Sequence, residues 1–376
     1  MNGKEMTSWA EVGEEYTALA SYLQDRAFPD AHDVHIDDVS RPAGGQSWEI
    51  FLLTVSVTGN DGSEHHRMVV KRAPGAIGPL GPYDVAKEAA LLNALSEVVP
   101  TPRLLAWSTD PAIFERPFIA MDFVEGEAVD LYRVEQWPTW QTNRRDLGCQ
   151  LMRTLGHIQR FDWREAGVAD VLGPRGSATE RVSSMVEWYL SSYRNLTGTL
   201  TAPQLFWKEV GAWLCDNAEE VAEEDLVLTH GDLRFGNLLW QGTKGAAVRD
   251  WERASLGDRM SDLGFFCVPM ARRHRPELMG MALEMEELAA HYEAATSRPV
   301  DRRRLQFYMI FWQFVEGSLG SRPNRERDQM EMVRQGGVEV RNRYTRVGKL
   351  PLGPNLHVRQ IAPVIDAYEE GRHDVV

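Results

Sequence analysis

His230-Gly231-Asp232-Leu233-Arg234-Phe235-Gly236-Asn237, followed by Val248-Arg249-Asp250-Trp251-Glu252, is the stretch on which the reading of this chain turns. A short apolar run, Leu226-Val227-Leu228, leads into it and reads as a strand. Gly242 marks a turn, and Ala246-Ala247-Val248 is a second short strand that ends at Asp250. Asp232 is followed five positions later by Asn237, and 18 residues later by Asp250. Moving a phosphoryl group to a hydroxyl needs an acceptor for the hydroxyl proton, a role open to Asp232. It also needs oxygen ligands for the cation that neutralises the phosphates, and Asn237 and Asp250 are of that type. Arg234, two residues beyond Asp232, can reach the transferred group as a charged clamp. A lone Asp232 reads as a turn or cap residue. The combination of Asp232, Arg234, Asn237 and Asp250 is what points to phosphoryl transfer. His230, beside that aspartate, reads as a buried structural histidine.

Upstream, the nucleotide side of such a reaction has candidates in the right order. Gly44-Gly45-Gln46-Ser47 precedes a first strand, and its glycines let backbone N–H groups approach phosphates. That strand, Trp48 to Val57, is rich in β-branched and aromatic residues. Asn60-Asp61-Gly62-Ser63 turns it, and Arg67-Met68-Val69-Val70-Lys71 returns. Lys71 stands where a lysine would pair with the α- and β-phosphates. Glu88, on a helix predicted over Val85–Leu95, could orient it. A strand at Phe118–Met121 leads to Glu125-Gly126, a hinge, where the carbonyl of Asp122 and the N–H of Val124 could read adenine. Helices are predicted over Ser8–Arg26, Arg144–Phe161, Glu180–Tyr193 and Gln204–Asp216, and they fill most of the chain after residue 270.

This series resembles the aminoglycoside phosphotransferase and choline kinase superfamily over about residues 40 to 265. More narrowly, it resembles the phosphotransferase-type domains related to those fused to acyl-CoA dehydrogenases. The residues that carry the resemblance are Gly44 to Ser47, Lys71, Glu88, Met121 to Gly126, Leu155 to Ile158, the Asp232 loop and Asp250-Trp251-Glu252. It implies an α+β, protein-kinase-like two-lobe fold, with an antiparallel sheet and helices in the N-lobe and a mostly helical C-lobe. The expected division is 1–122, nucleotide-binding, and 123–376, holding the catalytic loop and acceptor site. The implied cofactors are ATP and Mg2+. In Gly257-Asp258-Arg259-Met260-Ser261-Asp262, the resemblance gives Asp262 a structural role, holding the catalytic loop through backbone hydrogen bonds. One departure is Arg249, where the family usually has an aliphatic or acidic residue.

The bulk properties narrow the partners. A formal charge of −14 argues against nucleic acid and anionic membranes. No apolar run approaches the roughly 20 residues that span a bilayer. Met1-Asn2-Gly3-Lys4-Glu5 lacks the apolar core of a secretory signal. Cys149, Cys215 and Cys267 are too scattered for a disulfide framework or a zinc site, and a reducing cytoplasm is the expected setting. The expected partner is a small-molecule hydroxyl acceptor. Residues 271–376 carry seventeen basic against fifteen acidic residues. A polycationic aminoglycoside would want the opposite balance, which favours a neutral or anionic acceptor, such as a hydroxyacyl-CoA. An aminoglycoside or macrolide kinase, or a nucleotide-binding pseudokinase, are the alternatives. The run Arg302-Arg303-Arg304 reads as a solvated helix start. Phe307, Tyr308, Phe311, Trp312 and Phe314 read as core.

Overall fold

The computed structural model describes residues 14–42, 48–75, 83–173, 176–194, 202–221, 225–269, 275–320, 364–365 and 367–373. The first elements are α1 (Glu14–Ala27), β1 (Asp33–Ser40), β2 (Glu49–Gly59), β3 (Gly62–Arg72), α2 (Val85–Leu95), β4 (Leu104–Ser108), α3 (Pro111–Phe114), β5 (Phe118–Asp122) and β6 (Glu127–Ala128). Then come α4 (Pro138–Arg160), α5 (Ala178–Arg194), α6 (Ala202–Asn217), β7 (Val227–Thr229), β8 (Leu238–Gln241), β9 (Lys244–Val248), β10 (Ser255–Gly257), α7 (Met260–Cys267), α8 (Met285–Thr296) and α9 (Arg302–Gly320). The chain forms two compact units. One gathers the described parts of Met1–Val129, Asp162–Leu172 and Gly236–Arg253, and the other the remainder.

The first unit is built on an antiparallel sheet in the order β1-β2-β3-β5-β4. Alternation decides its buried face. Phe51, Leu53 and Val55 of β2, with Met68 and Val70 of β3, pack under Leu19 and Leu23 of α1. Lys71 follows Val70 and so leaves the sheet on the opposite face. Gly62 takes φ +119 at the β2–β3 turn, a conformation in which other residues are strained. β8 and β9 form a hairpin, with β6 on its edge.

Five strands, β1, β4, β6, β8 and β10, were not read from the sequence. β1 carries Asp33, Asp37 and Asp38, which strands disfavour, and a bulge between Ile36 and Asp38 breaks its alternation. β4 has the same defect between Leu104 and Ala106. Helix α2 coincides with its predicted span because Asp84 caps it, accepting from the Lys87 N–H at 2.9 Å. The predicted start of α1 at Ser8 lies outside the described residues.

The second unit is mostly helical. α4 begins at Pro138, earlier than the expected Arg144, and is kinked at Asn143 (φ −130°, ψ 26°), just before that residue. Small residues let its helices approach closely. A Cβ built on Gly264 of α7 would lie 2.5 Å from the Cβ of Tyr308 on α9, and one on Gly156 of α4 would lie 2.7 Å from the Ala295 carbonyl of α8. Phe307, Tyr308, Phe311, Trp312 and Phe314 are buried core, as expected. At the start of α9, Arg302 pairs with Glu286 at 2.9 Å and Arg303 with Glu220. Among the described residues, no helix is long and apolar enough to cross a membrane.

Candidate active site

In the first unit, Lys71 joins the candidate nucleotide residue Glu88 to the candidate metal ligand Asp250. Its Nζ lies 2.6 Å from Glu88 Oε1 and 3.1 Å from Asp250 Oδ1, so side chains from β3, α2 and the end of β9 meet at one ammonium. Lys71 is 6% exposed and Glu88 2%, so the pair is shielded from solvent. Burial works against the Lys71 charge, but Glu88 and Asp250 outweigh it and raise the lysine above its usual range. Glu88 Oε2 is buried without a protein partner.

The β8–β9 hairpin brings Asn237 and Asp250 to one end. Leu238 pairs with Val248, and the Arg249 N–H donates to the Asn237 carbonyl at 2.9 Å. The hairpin thus carries the Asn237 amide and the Asp250 carboxylate at the same end. Both are oxygen donors, the chemistry a hard cation such as magnesium would require of residues that held it. The residues present fit that ion. Arg249, the departure from the family pattern, donates from Nη2 to the Gly236 carbonyl at 2.7 Å and so braces the hairpin.

Asp250 takes φ +73, a left-handed conformation unusual for a non-glycine residue. Just beyond it, Glu252 is held by two side chains. Trp48 Nε1 donates to Glu252 Oε2 at 2.6 Å, and Lys87 Nζ donates to the Glu252 carbonyl at 3.2 Å. Burial and the adjacent Asp250 charge push the Glu252 carboxyl up to about 7, against the opposing pull of Lys71 and the Trp48 bond. Burial, with Glu252 and Asp250, likewise pushes the Tyr83 phenol up to about 12. The Tyr83 ring meets Trp48 edge-on at 5.0 Å. Sequence reasoning named Glu252 only within the Asp250-Trp251-Glu252 motif and assigned no role to Trp48, Tyr83 or Lys87. For Trp48 and Lys87 the signal was proximity alone: Trp48 follows Ser47, and Lys87 precedes Glu88.

The expected hinge residues lie at the end of β5. The Asp122 N–H donates to the Arg103 carbonyl at 3.0 Å, and its carboxylate pairs with the Arg103 guanidinium at 3.0 Å. Val124 follows Phe123, whose N–H donates to the Arg67 carbonyl at 3.2 Å. Gly44, Gly45, Gln46 and Ser47 lie outside the described residues.

In the second unit, β7 pairs with β10 and delivers His230-Gly231-Asp232. The N–H groups of His230 and Gly231 donate to the two Asp262 oxygens at 2.8 and 2.7 Å. Asp262, fully buried on α7, therefore holds the loop through its backbone, as its place in the sequence implied. Burial pushes the Asp262 carboxyl up, against the two N–H bonds and His230. Gly231 takes φ +78, which turns the chain toward Asp232. His230 is fully buried, and its Nδ1 accepts from the Asp232 N–H at 3.2 Å. Arg234 Nε lies 2.8 Å from Asp232 Oδ1, so the candidate base and clamp form an ion pair.

Residues 38–327 match the family model described as Phosphotransferase enzyme family, and the chain belongs to that family. It is 27% identical over 301 residues to a protein of Arabidopsis thaliana named "Probable acyl-CoA dehydrogenase IBR3", covering 75% of this chain and 35% of that one. It is also 25% identical over 206 residues to Acyl-CoA dehydrogenase family member 10 of Mus musculus, covering 54% of this chain and 18% of that one. The chain thus spans about a third or less of the length of these relatives. Among solved structures, the GDP and kanamycin complex of APH(2")-IIIa superposes with a TM-score of 0.56 at 16% identity, covering 97% of this chain and all of that one. That similarity, with the sheet and helical units above, establishes a protein-kinase-like α+β fold.

Proposed function

We propose that the chain transfers the terminal phosphoryl group of ATP to a hydroxyl of a small molecule. The observation that carries this reading is the meeting of Lys71, Glu88 and Asp250 at 2.6 and 3.1 Å, which joins the candidate phosphate lysine to the candidate metal carboxylate. In this reading Glu88 keeps Lys71 charged and aimed at the α- and β-phosphates. Asn237 and Asp250 hold magnesium, which when bound offsets phosphate charge and orients the transferred group. Gly44, Gly45, Gln46 and Ser47 cover the phosphates, while the Asp122 carbonyl and Val124 N–H read the base. Asp232 accepts the acceptor's hydroxyl proton, and Arg234 moves from its ion pair onto the transferred phosphoryl. Residues 1–122 are the nucleotide-binding part in this reading, and 123–376 hold the catalytic loop, the metal residues Asn237 and Asp250, and the acceptor site. The three cysteines, all free, suit a cytoplasmic setting.

For the acceptor we favour a neutral or anionic hydroxyl compound, hydroxyacyl-CoA among them, on the slightly basic balance of residues 271–376. The acyl-CoA dehydrogenase relatives are compatible with it. The test is ADP or GDP release with magnesium across hydroxyacyl-CoAs, neutral alcohols, choline, kanamycin and a macrolide, with ATP and GTP each as donor. Turnover confined to hydroxyacyl-CoAs or neutral alcohols is expected. Turnover of kanamycin or the macrolide alone would replace this acceptor class by an antibiotic. Magnesium-dependent nucleotide binding without turnover of any acceptor would favour the pseudokinase.

A further inference from the structure

Asp250 is a non-glycine residue at φ +73. Such a conformation persists only where its surroundings over-determine it, so the contacts on either side of it matter. Upstream, β9 is anchored by the Val248 N–H, which donates to the Pro100 carbonyl at 2.7 Å, and by the Arg249 bond to Asn237. Downstream, the turn Trp251–Arg253 is held at Glu252 by Lys87 on the main chain and Trp48 on the side chain.

Those two holding residues are themselves tied to Lys71. Its Nζ sits 4.7 Å from the centre of the Trp48 ring, which is a favourable cation–π approach. Trp48 is 6% exposed, so this platform is firmly packed. Lys87 precedes Glu88 on α2, so one helix sends consecutive side chains to the two halves of the cluster. Glu88 goes to the phosphate lysine, and Lys87 goes to the turn that follows the metal carboxylate. The helix cap at Asp84 fixes the first turn from which both depart.

We propose that Lys87 and Trp48 are positioning residues that hold the turn after Asp250, keeping its carboxylate set for magnesium and in contact with Lys71. This rests on the phosphotransferase reading above, in which Asp250 holds the metal. Neither residue needs to touch nucleotide or acceptor. Lys87 acts through the Glu252 carbonyl, and Trp48 through the Glu252 carboxylate and the face of its indole.

The test uses the full chain with three substitutions. Lys87→Met keeps the aliphatic stem and loses the ammonium. Lys87→Arg restores a cation. Trp48→Phe keeps a ring under Lys71 and loses the N–H that Glu252 accepts. Calorimetry would compare binding of the non-hydrolysable ATP analogue AMP-PNP with magnesium and with EDTA, beside the thermal midpoint. Loss of groups that orient a metal ligand typically costs about 10- to 100-fold in metal affinity. We expect Lys87→Met and Trp48→Phe to weaken magnesium-dependent AMP-PNP binding by about tenfold. Binding in EDTA should change less than about twofold, and Lys87→Arg should recover most of the loss. Equal losses with and without magnesium would overturn the proposal, since they would mark general nucleotide packing. So would unchanged magnesium-dependent binding in both weakened variants. Should Lys87→Met fail to fold, Trp48→Phe and Lys87→Arg decide by the same comparison. A wild-type chain that binds AMP-PNP no better with magnesium than without would remove the parent reading as well.

Discussion

Asp232 sits in a loop whose backbone is already satisfied by Asp262 and His230, so its carboxylate can be altered with little disturbance to the loop. Asp232→Asn should therefore lower kcat by about 10² to 10⁴-fold, the usual range for removing a general base, with nucleotide affinity nearly unchanged. A variant turning over at the wild-type rate would remove Asp232 from the role. Glu252 offers a different test at the same scale. Its carboxyl is raised from 4.5 to about 7 in the folded protein, mainly by burial and then by Asp250. Between those two values the folded state binds more protons than the unfolded state, so stability falls as pH rises through the window. In the presence of EDTA, the wild-type thermal midpoint should decline from about pH 5 to pH 7 more steeply than that of Glu252→Gln. Parallel curves would show that Glu252 does not titrate in this window.

At the level of elements, the second unit depends on close helix approach. Gly264 lets α7 lie against α9, where a Cβ would meet both the Tyr308 side chain and its backbone at 2.5 and 2.8 Å. Backbone cannot step aside as a flexible side chain could. Gly264→Val should thus destabilise the protein by about 1–3 kcal/mol, the range for overpacking a tight interior, or by more if α7 shifts. A thermal midpoint within a degree of wild type would show that the interface yields. Because α7 also carries Asp262, the same variant should lower turnover by loosening the catalytic loop. Loss of stability without loss of activity would separate the two roles of this helix.

For the molecule as a whole, the nucleotide reading has a thermodynamic consequence. A ligand that binds only the folded state raises stability by about 2.7 kcal/mol at a hundred times its Kd. ATP with magnesium should accordingly raise the thermal midpoint of the wild-type chain by several degrees, and more than ATP with EDTA does. In Asp250→Ala the magnesium-dependent part of that rise should vanish, because one of the two oxygen donors is gone. An undiminished magnesium effect in this variant would move the metal elsewhere.

The residue types of the candidate site were legible because chemistry constrains them locally. The five-residue step from Asp232 to Asn237, the short strands around it and the acidic stop at Asp250 all lie within one stretch of chain. Helix α2 was legible for a similar reason, since its helix-favouring composition is a local signal. β1 and β4 were not, because bulges and unfavourable residues erase their alternation, and only pairing with β2 and β5 makes them strands. The links that organise the site join residues far apart in the chain. Lys71 meets Asp250 across 179 positions, and Trp48 meets Glu252 across 204. Motif order could suggest the first of these partnerships but could not reveal the second, nor the hold of Lys87 on the Glu252 carbonyl. Sheet register and the β8–β9 hairpin set those contacts, and neither is encoded in any local run of residues.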